Sequence, residues 1–396
     1  MTSKTIIVGA GQAGAVAAVK LREFGYDGEI VLIGAEDHPP YERPELSKGY
    51  ALGAVPFEKL VLLSPSKADE LGIDLRLSTR VVSIDQSNRQ VTTEQGTLDY
   101  DTLVLATGGS ARRFPLPDRF TSKVHVLRSR EDADNLGTAL ANAQTAAIIG
   151  GGWLGLEAAA TCRKSGLDVH VFEAAPRLCA RVAPEWLSDV LKNLHVANGV
   201  TLHLGQAPEI TDEGQIKGQS VTVYPDVVIL AIGMTANDSV AEQAGLACED
   251  GILVSAQGQT SDPNIFAIGD CARYRHLGNL RRESWQNANQ SAEDLARILT
   301  RQSDRRPEPD WFWSNQFDQN IQILGTCTDD HETVLRPNTE PNSKSLFFLK
   351  NGTIKGCISI NAPRDIGMSR SLVSKGQKMD SVKLADPSVP LRACLK

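Results

Sequence analysis

The chain has 396 residues, and its 41 lysines and arginines against 48 aspartates and glutamates give a formal charge of −7, which argues against a general nucleic-acid binder. A hydrophobic content of 41% is enough for sizeable cores in two or three domains. No apolar run reaches the ~18 residues of a membrane-spanning helix. The seven cysteines are odd in number, widely spaced and form no C-x-x-C pair, which argues against a disulfide scaffold and against a zinc or dithiol site. A first strand starting at Thr5 leaves no room for a signal peptide, so a soluble cytoplasmic protein with buried free thiols and no metal is expected.

The run Thr5-Ile6-Ile7-Val8 reads as a strand that stops at Gly9, and the alanine-rich stretch from Gln12 to Phe24 reads as a helix. Between them Gly9, Gly11 and Gly14 form G-x-G-x-x-G in its strand–turn–helix setting. Gly9 permits the tight turn, Gly11 lets backbone approach a pyrophosphate, and Gly14 lets helix pack on strand. A second strand, Glu29–Ile33, ends beside Glu36, an acid placed to hold a ribose hydroxyl. The alternative is an ordinary glycine-rich turn without a ligand. The proline-broken segment Asp37–Lys48 then presents Arg43 and Lys48, either as a solvated loop or, beside a dinucleotide, as cations for phosphate or flavin. A short helix is expected near Glu45.

Residues 72–106 read as short strands, Ile73–Leu77, Val81–Ile84, Gln90–Thr93 and Thr102–Ala106, the last of the buried parallel kind. A second fingerprint follows: strand Thr145–Ile149, then Gly150, Gly152 and Gly155, a helix to Lys164, and strand Asp168–Phe172 ending at Glu173. Two complete βαβ fingerprints imply two dinucleotides. Another buried strand runs from Asp226 to Gly233. Asn264–Ala267 delivers Gly269-Asp270 to a strand's carboxyl end, where an acid can accept from ribityl hydroxyls. Glu283-Ser284-Trp285 opens a helix running to about Arg301. Ser303–Asp310 is a linker, and Trp311–Lys396 reads as an α+β cap.

Gly9–Gly14, Pro40-Tyr41-Glu42-Arg43-Pro44, Leu46-Ser47-Lys48, Ala106–Gly109, Gly150–Glu157, Phe266–Ala272, Glu283-Ser284-Trp285 and Trp311–Ser314 together carry a family resemblance that covers nearly the whole chain. They resemble the FAD-dependent NADH:ferredoxin reductases of bacterial three-component aromatic-ring-hydroxylating dioxygenases and the putidaredoxin-reductase-like group. The resemblance implies an α/β fold with two Rossmann-like dinucleotide-binding domains, for FAD and NAD, plus a C-terminal α+β domain, a glutathione-reductase-like architecture. FAD would occupy residues 1–106 and 243–308, NADH residues 107–242, with residues 309–396 forming the C-terminal domain. FAD contacts are implied at Gly9, Gly11, Ala13, Gly14, Glu36, Arg43, Lys48, Val81, Ala106, Arg128, Asp270 and Trp285, of which Val81 and Arg128 rest on looser local matches. Nicotinamide-nucleotide contacts are implied at Gly150, Gly152, Leu154, Gly155, Glu157, Glu173, Arg181, Ile232, Gly233 and Glu283.

The implied chemistry is hydride transfer from NADH to the flavin and single-electron transfer to an acidic, transiently bound [2Fe–2S] ferredoxin that supplies the dioxygenase. Lys48 can hydrogen-bond near the flavin N5, and Glu157 can hold the nicotinamide carboxamide; the alternative for Glu157 is a surface acid in a first helical turn. Thiol-dependent relatives need a cysteine ahead of the first position found here, Cys162. A P450 or alkane-hydroxylase system with a ferredoxin or rubredoxin, and an NADH-responsive interaction module, are the other readings. The substrate and the oligomeric state, monomer or homodimer, stay open. Glu173 is expected to favour NADH over NADPH, with Arg177 and Arg181 close enough in sequence to soften the preference. Arg273, Arg275, Arg281 and Arg282 lie in a stretch without an acid and are expected to dock the ferredoxin.

Overall fold

The computed structural model describes residues 3–114, 116–117, 120–218, 221–338 and 340–396. The chain divides into two compact units, one of residues 1–45, 55–111 and 233–306, the other of residues 46–54, 112–232 and 307–396.

The first unit opens with β1 (Lys4–Val8), α1 (Gln12–Glu23), β2 (Glu29–Ile33), α2 (Pro65–Glu70) and β3 (Ile73–Arg76). The antiparallel meander β4 (Val81–Asp85), β5 (Gln90–Thr93) and β6 (Gly96–Asp99) leads into β7 (Thr102–Leu105) and β8 (Gly109–Ala111). In the second unit follow β9 (Val124–His125), α3 (Arg130–Leu140), β10 (Thr145–Ile149), α4 (Trp153–Lys164), β11 (Asp168–Glu173), α5 (Glu185–Ala197) and β12 (Val200–Leu204). A small meander, β13 (Glu209–Ile210), β14 (Ile216–Lys217) and β15 (Thr222–Val223), precedes β16 (Val227–Leu230). The chain returns to the first unit with β17 (Met234–Ala236), α6 (Ser239–Gln243), β18 (Ile252–Val254), β19 (Ile265–Ala267), β20 (Ala272–Tyr274), β21 (Leu280–Arg281) and α7 (Trp285–Leu299). It ends in the second unit with β22 (Trp311–Gln316), β23 (Gln319–Gly325), β24 (Glu332–Pro337), β25 (Lys344–Lys350), β26 (Thr353–Ile360), α8 (Pro363–Ser374) and α9 (Ser381–Ala385).

The first unit is built on a five-stranded parallel sheet in the order β19-β7-β1-β2-β3. Its strands are apolar on both faces because both faces are covered. Ile7, Leu32 and Val104 pack against Ala18 and Leu21 of α1 and Ala292 and Leu295 of α7. Their neighbours Ile6, Val8, Leu103 and Leu105 face the opposite layer, with Val91, Ala241 and Ile252. The alanines of α1 let that helix lie close to the sheet, and its end is set by Gly25, whose φ of +84° no L-residue adopts cheaply.

The second unit holds a parallel sheet, β12-β11-β10-β16-β9, and an antiparallel one, β22-β23-β26-β25-β24. One face of the antiparallel sheet, through Ile321, Phe348, Ile358 and Ile360, shares a core with Leu156 of α4 and Leu187 and Leu191 of α5. Its other face, through Leu324, Phe347 and Cys357, is closed by Ile366 and Leu372 of α8 and Leu384 of α9. The C-terminal residues therefore form an α+β layer packed on the helices of the second fingerprint.

Two local departures from the sequence reading have plain causes. Strand β6 pairs back on β5 across the turn Thr93–Gly96, where Gly96 takes φ +134°. The helix expected near Glu45 is instead a 3₁₀ turn over Arg43–Glu45 followed by one wider turn over Leu46–Tyr50, in which Lys48 leaves helical angles (φ −127°, ψ −115°).

The last turns of the chain hang on one buried cation. Arg336 of β24, 5% exposed, donates from Nη1 to the carbonyls of Leu384 (3.0 Å) and Asp386 (2.8 Å), and from Nη2 to those of Pro387 (3.2 Å) and Val389 (2.8 Å). Lysine cannot reproduce this planar fork. Arg336→Lys should destabilise the protein by about 2–4 kcal/mol in urea unfolding and speed proteolysis after residue 380, because buried carbonyls lose their donors; unchanged unfolding would contradict this.

Candidate functional site

In the first unit, Gly9 takes φ +114° and a Cβ there would collide with the Ala106 carbonyl at the exit of β7. Gly14 in turn sits on the Gly9 carbonyl. The turn is thereby drawn across the carboxyl ends of the parallel strands, with Gly11 as the N-cap of α1. No side chain caps that helix, and a Cβ on Gly11 would meet nothing nearer than Arg43 Nη2 at 4.0 Å. The first N–H groups of α1, including that of Ala13, thus face an open cradle suited to phosphate. Gln12 donates from Nε2 to Asn289 Oδ1 of α7 at 3.0 Å, so α7 reaches the same cradle; its own Oε1 is buried with no protein donor among the described residues.

Glu36, just past β2, accepts from Arg43 Nη2 (2.6 Å) and from the Tyr41 hydroxyl (2.7 Å). Burial pushes its carboxyl up, but the Arg43 guanidinium and the Tyr41 hydrogen bond outweigh that and hold it below the usual carboxylate value. Arg43 also feels the charge of Asp270, carried on the short turn Gly269–Cys271 after β19. Trp285 is the first residue of α7, behind the N-cap Ser284. Val81 begins β4 and packs toward the second core layer.

The second unit repeats the construction. A Cβ on Gly150 (φ +113°) would collide with the Ala231 carbonyl beside Ile232, and Gly155 sits on the Gly150 carbonyl. Gly152, the uncapped N-cap of α4, has nothing within 4 Å of a Cβ position. Glu173 ends β11 and folds back so that its two oxygens accept from the N–H groups of Gly151 and Ala175, both at 2.7 Å. Leu154 lies in the first turn of α4, half-buried, and Arg181 is exposed on the loop after β11.

Lys48 and Glu157 belong to this unit and meet there. Glu157 is 8% exposed, so it is not the surface acid a first helical turn often carries. Ser47 Oγ donates to its Oε2 at 2.7 Å, Ser314 Oγ donates to its Oε1 at 2.6 Å, and Lys48 Nζ lies 3.5 Å from Oε1. Lys48 also lies over the Trp313 ring at 5.9 Å, and Thr161 donates to the Ser47 carbonyl at 2.7 Å. Ser47 and Ser314, which hold the Glu157 carboxylate, lie in segments that the sequence singles out but have no role assigned there. Tyr41 and Gln12 were likewise unassigned.

Arg177, expected close enough to soften a specificity set by Glu173, donates to the Ala180 and Ala183 carbonyls and to Ser188 Oγ. Arg128, like Lys48 an implied FAD contact, lies with it in the second unit, where its N–H donates to Asp132 at the start of α3. Gly233 and Glu283 belong to the first unit, and Glu283 pairs with Arg281 at 2.8 Å. The acid-free arginine stretch is not acid-free in space: Glu249 and Asp250 approach Arg273 (3.7 and 3.6 Å), and Asp250 approaches Arg281 (3.3 Å).

All seven cysteines are free, and burial pushes every thiol up, Cys162, Cys179 and Cys327 to about 12 and Cys248 to about 11. None is poised as a thiolate.

The Glu36 environment gives a signed pH test. Its folded value lies below the ordinary ~4.3 of an unfolded chain, so the stability it contributes is complete above that value and is lost as pH falls through the folded one. Glu36→Gln should lower the melting temperature at neutral pH, with the gap to wild type closing as pH falls below the ordinary carboxylate range; a gap that does not change with pH would contradict the charge argument.

Comparison with known proteins matches nearly the whole chain to two family models. Residues 3–292 match the pyridine nucleotide-disulphide oxidoreductase family and residues 311–395 the reductase C-terminal family. The chain is 37% identical, over 99% of its length and 98% of the relative's, to the ferredoxin–NAD(+) reductase component of the p-cumate 2,3-dioxygenase system of Pseudomonas putida. Among solved structures it is similar to the ferredoxin reductase for the CYP199A2 system of Rhodopseudomonas palustris, with TM-score 0.92 and 33% identity over all of both chains. It is also similar to the reductase in the covalent putidaredoxin reductase–putidaredoxin complex, with TM-score 0.90 and 32% identity over 98% of this chain and 97% of that one. Two glycine-built cradles followed by the C-terminal α+β layer thus make this chain a member of the pyridine nucleotide-disulphide oxidoreductase family, of the branch that carries the reductase C-terminal domain.

Proposed function

We infer that this chain is the NADH-dependent reductase of an oxygenase system, passing electrons through FAD to a small [2Fe–2S] ferredoxin that feeds a ring-hydroxylating dioxygenase. The observation that carries the reading is the pair of open, uncapped helix N-termini, at Gly11 and Gly152, in a chain whose seven thiols are all unpaired with one another and pushed above the ordinary thiol range. Two dinucleotides with no dithiol leave flavin-mediated electron transfer as the reaction class. Relatives that serve ferredoxins of dioxygenase and P450 systems point the same way. The residues fit the groups: Gly11, Ala13, Glu36, Arg43, Ala106 and Asp270 would hold FAD, with Trp285 at its ring end. Gly152, Leu154, Glu173, Arg181 and Ile232 would hold NADH. FAD held by these residues would supply the conversion of a two-electron hydride into single-electron steps. Lys48 supplies a cation at the reacting end, and Glu157, with both oxygens taken by serines, acts by holding that cation. This assigns residues 1–106 and 243–308 to FAD, 107–242 to NADH, and Lys48 to FAD.

Glu173 is fixed by two backbone donors, so its charge cannot swing away from a 2′-phosphate. Two like charges ~4 Å apart cost up to ~4 kcal/mol at an effective dielectric of ~20, and less with solvent access. NADH should therefore be preferred over NADPH by roughly ten- to a thousandfold in kcat/KM, and Glu173→Ser should erase most of that ratio. Equal kcat/KM for the two nucleotides in the wild type would contradict the assignment.

For docking, the tip between β20 and β21 is favoured. Arg275, His276, Leu277 and Leu280 are exposed there, whereas Arg273 and Arg281 hold their own acids. A cation beside apolar side chains suits an acidic iron–sulfur protein. Arg275→Glu should slow reduction of a [2Fe–2S] ferredoxin about three- to tenfold at low salt and flatten its salt dependence, while ferricyanide reduction stays unchanged. Equal slowing with both acceptors would show a structural defect, and no slowing with either would place the dock elsewhere.

A further inference from the structure

Behind Ser314 the hydrogen bonding continues into the interior of the second unit. Gln316 Nε2 lies 3.1 Å from Ser314 Oγ, and Gln316 Oε1 lies 2.9 Å from His195 Nε2. Ser314, Gln316 and His195 are all 0% exposed. His195 sits on α5 four residues after Leu191 and eight after Leu187, a spacing that calls for another core residue. An imidazole and an amide are costly there unless every polar atom is used.

The sense of the chain is fixed from its Glu157 end. A carboxylate has no proton to give, so the Ser314 hydroxyl must donate to Glu157 Oε1. The Ser314 oxygen is then left to accept from the Gln316 amide N–H, which turns the Gln316 carbonyl toward His195. His195 must accordingly carry its proton on Nε2. This tautomer follows from the network rather than from observed hydrogens. The other ring nitrogen, Nδ1, is buried without a partner among the described residues, and burial pushes the ring's pKa down, so His195 stays neutral. Every dipole from α5 through β22 therefore points its positive end at the Glu157 carboxylate. The titratable groups facing Glu157 are Lys48 from the 46–54 turn and the Cys179 thiol from the loop after β11. The Phe317 ring edge flanks His195 at 5.2 Å.

We propose that Gln316 and His195 are positioning residues for flavin reduction: they orient the Ser314 hydroxyl, which fixes the Glu157 carboxylate and through it the Lys48 ammonium. The proposal rests on the roles given above to Lys48 and Glu157. It assigns a function to a histidine and a glutamine that no binding motif includes, and it explains why β22 of the C-terminal layer carries polar residues inward at Ser314 and Gln316.

The test uses the FAD-loaded enzyme and two readouts. In stopped-flow reduction by NADH, Gln316→Met should lower the limiting rate about three- to tenfold, the effect of one hydrogen bond, while the apparent Kd for NADH stays within about twofold. Ser314→Ala should cost at least as much, and Ser314→Thr, which keeps the hydroxyl, should stay near wild type. Independently of turnover, the ¹⁵N resonance of His195 Nε2, assigned with His195→Leu, should report a neutral Nε2–H ring and shift in Glu157→Gln, because the far end of the chain has lost its obligate acceptor. If Glu157→Gln reduces at the wild-type rate, the reading of Glu157 itself fails. If Glu157→Gln is slow but Gln316→Met is not, that reading stands and the positioning chain is overturned. Should Gln316→Met fail to hold flavin, the His195 resonance decides: a shift in Glu157→Gln supports the chain, and no shift overturns it.

Discussion

Both cradles depend on one steric constraint, the absence of a Cβ at Gly9 and at Gly150. Each glycine lets its turn press on the carbonyl of a residue leaving the neighbouring parallel strand, Ala106 in one unit and Ala231 in the other. That contact aims the following helix N-terminus at the strand ends and leaves Gly11 and Gly152 open to an approaching phosphate. Any side chain at Gly9 or Gly150 would have to displace backbone, so the cost is paid in the geometry of the site before it is paid in stability.

Within that shared plan the acids at the strand ends are treated differently, and the difference is chemical. Glu36 is tied to a guanidinium and a phenol, which together keep it charged and partly neutralised. Glu173 is tied to two backbone N–H groups, which fix its position without cancelling its charge. A carboxylate of the second kind discriminates against a second anion far better than one of the first. The third acid, Glu157, is held by hydroxyls from the 46–54 turn and from β22, so that turn and the C-terminal layer meet at a single carboxylate.

Much of this was legible in the sequence. The glycine spacings, the β-branched strands before them and the acids after them are short-range features, and they locate both cradles because the βαβ unit is itself local. Buried runs such as Thr102–Leu105 and Val227–Leu230 also declare themselves, being apolar throughout. What could not be read is long-range pairing. Nothing in the run from Arg273 to Arg282 shows that Glu249 and Asp250 fold against it, and nothing in the sequence around Arg177 shows that its guanidinium is consumed by nearby carbonyls. The same limit hid His195, which looks like one more core position of α5 until β22 brings Gln316 to it across 121 positions of sequence.

The most direct measurement of the electron path is an anaerobic titration of the purified flavoprotein. One equivalent of NADH should bleach the oxidised flavin band completely, and two equivalents of an oxidised one-electron [2Fe–2S] ferredoxin should then restore it, with no thiol becoming titratable at any stage. A flavin that NADH does not bleach, or that recovers only with a disulfide and exposes new thiols, would contradict the account.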